Sequence, residues 1–105
     1  MNLEELKPLL EKVRLRGQMP SPFLSMAEGK CKNSMGSISF AHAHMGIGIR
    51  NRGKICFTPK GLERPDSEVI RTLAHELTHL RYPRRAHRNP IFTKSITEFL
   101  EELNG

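Results

Sequence analysis

The stretch Ala74-His75-Glu76-Leu77-Thr78-His79-Leu80 decides how this chain is read. Residues four apart on an α-helix stand one turn above each other on the same face. His75 and His79 can therefore aim two imidazole nitrogens at one metal ion, with Glu76 beside them. A tetrahedral zinc held in this way keeps a position for water, whose pKa falls to about 7. Glu76 is then placed to take the water's proton as general base while the metal polarises a carbonyl. The bare H-E-x-x-H pattern is short enough to arise by chance, so its context carries the weight. Wound at ~100° per residue, Val69, Ile70, Leu73, Ala74, Leu77 and Leu80 fall within one arc of about 140°. His75 and His79 lie together on the far side, with Glu76 at its margin. One face is bound for a core and the other for a cleft.

Composition sets the frame. A chain of 105 residues, 37% hydrophobic and 27% charged, reads as one soluble domain over residues 1–105, with a core of modest size. It holds no run of apolar residues long enough for a membrane span. The first residues mix acids and bases without an apolar stretch, so no secretory signal is expected. Cys31 and Cys56 stand apart with no C-x-x-C spacing, which points to reduced thiols and a cytoplasmic setting, although sequence alone leaves a disulfide between them open. The net charge of +6 favours nucleic acid or acidic surfaces as partners. Arg81, Arg84, Arg85 and Arg88 crowd the segment after the histidine pair, where they form either a nucleic-acid contact or a solvated loop.

Residues 2–16 read as a first helix, with Leu3, Leu6, Leu9, Leu10 and Val13 at helical spacing and Asn2 with Glu5 as a capping box. Pro8 inside it predicts a kink or a late start. Residues 23–58 change period. Ser37-Ile38-Ser39-Phe40-Ala41, Ile47-Gly48-Ile49 and Lys54-Ile55-Cys56-Phe57-Thr58 alternate as strands do, with Asn51-Arg52-Gly53 as a hairpin loop and residues 23–26 as a possible further strand. The expected sheet has three or four strands and is largely antiparallel. His42 and His44 would share one face of a strand, as a second metal site, as substrate contacts or, more plainly, as ordinary histidines. Residues 59–65 read as a linker, and Asp66 or Ser67 as the cap of the histidine helix, which Pro83 ends. Asn89-Pro90 opens a last helix with the stripe Ile91, Phe92, Ile96, Phe99, Leu100 and Leu103. The fold class is α+β: a small, mostly antiparallel sheet with an N-terminal, a metal-binding and a C-terminal helix.

A catalytic zinc usually takes three protein ligands. The candidates downstream are His87 and Glu98. Glu98 lies ~140° from the centre of its helix's apolar stripe, facing water if the stripe packs inward. That favours His87, a neutral imidazole on a loop able to fold back.

With these residues in view, the chain resembles the SprT-like and YgjP-like zinc metallopeptidases. The matching run is residues 68–80, with His87 and Phe92 behind it and Gly29-Lys30-Cys31 and Ser37-Ile38-Ser39-Phe40 similar to that family's strands before the motif. The resemblance covers roughly the last two-thirds of the chain, and only the metal helix is a highly specific match. It implies a minimal zincin-like domain with Zn2+ on His75, His79 and His87 and Glu76 as catalytic base. The intervals from His79 to His87 and from His87 to Phe92 are longer than that family's usual ones. Gluzincin-type peptidases, the competing resemblance, would promote Glu98 instead.

The expected activity is hydrolysis of a protein or peptide substrate. The substrate would lie along an exposed strand edge, residues 46–50 or 54–58, with Tyr82, His42 or His44 as oxyanion donor. The alternative is a basic nucleic-acid-binding module whose metal is structural or absent; an aromatic content of only 6% leaves few stacking platforms for it. A third reading is a latent protease, with residues 19–31 across the cleft and Cys31 on the metal.

Overall fold

Helix α3, Asp66–Arg81, carries the H-E-x-x-H run and supplies much of the core. Val69, Leu73, Ala74 and Leu77 are wholly buried along one face and Leu80 nearly so, as the arc predicts. The structure, a computed structural model, describes residues 1–15, 24–30, 40–45, 53–82 and 87–105, with backbone alone at positions 42, 44 and 45. The expected strand at 47–49, Arg84, Arg85 and Cys31 therefore lie outside the described residues, as do the side chains of His42 and His44.

Helix α1, Leu3–Leu15, begins where the capping box places it. The Glu5 amide donates to Asn2 Oδ1 at 2.9 Å, and the Asn2 amide donates to Glu5 Oε1 at 3.1 Å. With both orphan donors satisfied, the helix does not start late at Pro8 but carries it inside. Pro8 faces solvent, while Leu6, Leu10 and Val13 turn inward.

The sheet has the order β1-β3-β2, from Ser25–Glu28, Gly53–Phe57 and Ala41–Met45. β2 pairs with β3 antiparallel, Ala43 facing Ile55, as expected. β1 pairs with β3 in parallel, Met26 facing Ile55, which corrects the mostly antiparallel expectation. β3 alternates as a half-buried strand should, with Gly53, Ile55 and Phe57 inward and Lys54 outward. It is the central strand, so residues 54–58 are not the exposed edge expected for substrate. β1 lies at the edge of the described sheet away from β2, and residues 19–23 and 31 of the segment expected across the cleft lie outside the described residues. Cys56 is disulfide-bonded, against the expectation of a reduced thiol. No helix among the described residues is long and apolar enough to cross a membrane.

The stretch read as a linker contains a short helix, α2, Pro59–Leu62. Thr58 caps it, accepting from the Gly61 amide at 3.0 Å, with Pro59 at the first helical position. The Thr58 amide and hydroxyl both donate to the Phe40 carbonyl, at 3.0 and 3.2 Å, and so tie α2 to the start of β2. α3 then starts without the expected Asp66 or Ser67 cap. Pro65 holds the N-cap position, and its carbonyl accepts from the amides of Glu68 and Val69. Asp66 and Glu68 still place negative charge in the first turn, where the helix dipole favours it.

Helix α4, Pro90–Asn104, opens as predicted, with Asn89 Oδ1 accepting from the Ile91 amide at 3.0 Å. Phe92, Phe99 and Leu103 are buried along its inner face, while Ile91, expected in that stripe, is 40% exposed. α3 packs between α4 and the sheet, and α1 covers α4 and β1.

Gly61 marks the tightest approach near the site. A Cβ there would collide with the Phe40 carbonyl. Gly61→Ala should therefore cost about 1–3 kcal/mol and lower Tm by at least about 4 °C in thermal melts. An unchanged Tm would show that α2 does not sit tightly on Phe40.

Candidate metal centre

Two of the three converging imidazoles come from α3 and the third from the segment that leads into α4. His75 Nε2 and His79 Nε2 lie 2.9 Å apart, as their one-turn spacing dictates. His87 Nε2 lies 2.9 Å from His79 Nε2, which brings the residue three places before α4 onto the histidine face of α3. The possible ligand atoms of His75, His79 and His87 all lie within 4.8 Å of one another and could hold a metal ion. Glu98 stands apart, half-exposed and 3.6 Å from Arg81.

Protons alone do not satisfy this arrangement. An imidazole nitrogen offers one hydrogen or one lone pair. His79 Nε2 faces two other ring nitrogens at hydrogen-bond distance and can serve only one of them. A cation accepting all the lone pairs removes the conflict. Nitrogens at ~2.0–2.1 Å from one tetrahedral ion stand about 3.3 Å from each other, a few tenths of an ångström from the separations seen. The three nitrogens could therefore hold one metal ion. His75 is held below its ordinary pKa, first by burial and then by the neighbouring His87 charge, which favours the neutral form that ligates.

Phe92, placed by the sequence in the α4 stripe and behind His87 in the run that carries the resemblance, forms the floor of this centre. It is 1% exposed, and the rings of His75, His79 and His87 lean on it edge-to-face at centroid distances of 5.5, 4.8 and 5.0 Å. The Asn89 cap and Pro90 set where α4 begins, and so where Phe92 stands. Beneath the floor, the Thr78 hydroxyl donates to the Ala74 carbonyl at 2.9 Å, and the Ser95 hydroxyl lies 3.3 Å from it. These buried groups fix α4 against the histidine helix.

Arg81 braces the same junction. Its guanidinium covers the Phe99 ring at 4.2 Å and faces Glu98, so its charge is turned towards α4. Of the arginines proposed for nucleic acid, Arg81 is thus engaged within the fold and Arg88 is exposed. Tyr82 closes α3 as its C-cap.

Glu76 is 7% exposed and points towards β2, where the Ala43 backbone accounts for a hydrogen bond. Burial raises its pKa from 4.5 to about 7, against the opposing pull of that bond. With Phe40, Ala41, Arg71, Thr72 and His75 it lines a cleft of about 310 Å³. The base candidate and one candidate metal ligand therefore share a cavity wall.

No protein-family model matches this chain, and no curated protein or solved structure matches it either.

Glu76 gives a pH signature in the metal-free protein. Its folded pKa lies above the unfolded value, so folding favours the protonated form. Its contribution is complete below 4.5 and is lost as pH rises through about 7. The loss is on the order of 3 kcal/mol. Glu76→Gln should melt well above wild type at about pH 8 and lose most of that advantage at about pH 5, in chelator-treated samples. An equal difference at both pH values would show that burial does not perturb Glu76.

Proposed function

We propose that this protein is a zinc-dependent metallopeptidase, of the SprT-like and YgjP-like kind that its metal helix resembles. The observation that carries the reading is the convergence of His75, His79 and His87 beside a buried Glu76 at the wall of an open cleft. A zinc ion held by the three imidazoles supplies a Lewis acid and a water acidified to about 7.

The chain's own residues do the rest. Glu76, oriented through the Ala43 backbone, takes the proton of the attacking water and returns it to the leaving amine. Phe92 excludes water from beneath the histidines and fixes their ring planes. β2 is the outer strand of the described sheet on the side of α3. An extended peptide laid beside it adds a strand, which brings its backbone past Glu76. Protein or peptide is therefore the substrate class, and Glu76 is the catalytic residue.

Glu76→Gln keeps the cavity and removes the base. Zinc content, by elemental analysis, should stay at the wild-type level while cleavage of a fluorescently labelled unfolded protein falls by about 10²–10⁴-fold. Wild-type cleavage by this variant would remove Glu76 from the mechanism.

A further inference from the structure

The cleft beside the histidines continues past Glu76 along α3, and this part has a chemistry of its own. Its walls there are Phe40 and Ala41 on one side and Arg71 and Thr72 on the other. Arg71 precedes His75 by four residues, so it lies on the same helix face about 6 Å further towards the N-terminus. It is exposed, and it makes no ion pair among the described residues.

A second guanidinium stands behind the same wall. Arg64 lies over the Phe40 ring at 4.1 Å, its Nε donates to the Gly61 carbonyl at 3.1 Å, and its Nη2 donates to Thr72 Oγ1. Arg64 is therefore fixed in place. Because Thr72 Oγ1 accepts from Arg64, its own proton remains for a ligand in the cleft. Among the described residues, Glu76 is the one carboxylate lining the cleft. Phe40, 47% exposed and stacked on Arg64, adds an apolar surface to the cleft.

We propose that Arg71, with Thr72 and Arg64 behind it, forms a specificity subsite that takes a carboxylate of the peptide substrate. The carboxylate belongs either to an Asp or Glu side chain or to the peptide's C-terminus. The guanidinium fork matches a carboxylate with paired hydrogen bonds, and the Thr72 hydroxyl supplies a further donor. The apolar part of the same residue rests on Phe40. This inference rests on the peptidase reading and adds which substrates it prefers.

The test uses the full zinc-loaded chain carrying Glu76→Gln, so that peptides bind without being cut, and reads affinity by fluorescence anisotropy. Peptides of one apolar scaffold carry an internal Glu with an amidated end, an internal Gln with a free C-terminal carboxylate, an internal Gln with an amidated end, or an internal Arg with an amidated end. At least one carboxylate peptide should bind about 10-fold or more tighter than the neutral one, and the arm that does so names the source of the carboxylate. Arg71→Ala should abolish most of that preference, weakening the carboxylate peptide far more than the neutral one. Arg71→Glu should shift preference to the Arg peptide. Because Arg71 is exposed, zinc content and Tm of these variants should match the parent, which separates a lost subsite from a lost fold. Equal binding of all four peptides, or a preference that survives Arg71→Ala, overturns the subsite and leaves the peptidase reading standing. Failure to bind any peptide, with no cleavage by the wild type, overturns both. An oligonucleotide held through Arg71 while the acidic peptides are not would also overturn the proposal.

Discussion

The site depends on burying one face of α3. Val69, Leu73, Ala74 and Leu77 are wholly enclosed by the sheet and α4, which fixes the helix about its own axis. His75 and His79 are then held on the opposite face, and Glu76 at the boundary is forced into a low-dielectric position. Rotating the helix to relieve Glu76 would expose the core leucines, each worth about 1.5–3 kcal/mol on burial. The apolar pattern thus sustains a carboxylate that water would otherwise hold fully charged. Thr78 and Ser95 set the facing helix, and Phe92 at its first turn completes the floor.

A metal would couple this site to the stability of the whole domain. His87 stands just before α4, and its approach to His79 joins the start of that helix to α3. A cation bound only by the folded arrangement stabilises it by mass action, and neutral imidazoles are the form that binds. The burial that lowers the pKa of His75 favours its neutral, ligating form.

Much of this was legible in the sequence, for identifiable reasons. Helical periodicity and spacing gave α3, its buried face and its histidine pair, because those depend on local geometry. The Asn2–Glu5 and Asn89-Pro90 caps located two helix starts, and the stripe of α4 turned Glu98 away from the centre. The parallel pairing of β1 with β3 was not legible, since strands distant in sequence pair as packing allows. Nor was the seat of Phe92 against all three imidazoles, which neither its stripe nor its place behind His87 specifies. α2 was missed although Thr58-Pro59 carries the same cap-then-proline signature as Asn89-Pro90. Pro65 took the cap of α3 because its carbonyl met the first amides, which side-chain preferences do not foresee. The cleft wall of Phe40, Arg71 and Thr72 joins residues that only the fold brings together.

The central claim is that His75, His79 and His87 together hold one divalent metal. X-ray absorption at the zinc edge of the stoichiometrically loaded protein tests it most directly. The account predicts a shell of about three imidazole nitrogens and one light oxygen at ~2.0–2.1 Å, with one imidazole lost in His87→Ala and none in Glu98→Ala. A shell containing sulfur at ~2.3 Å, an imidazole count untouched by His87→Ala, or failure to retain any metal stoichiometrically would contradict it.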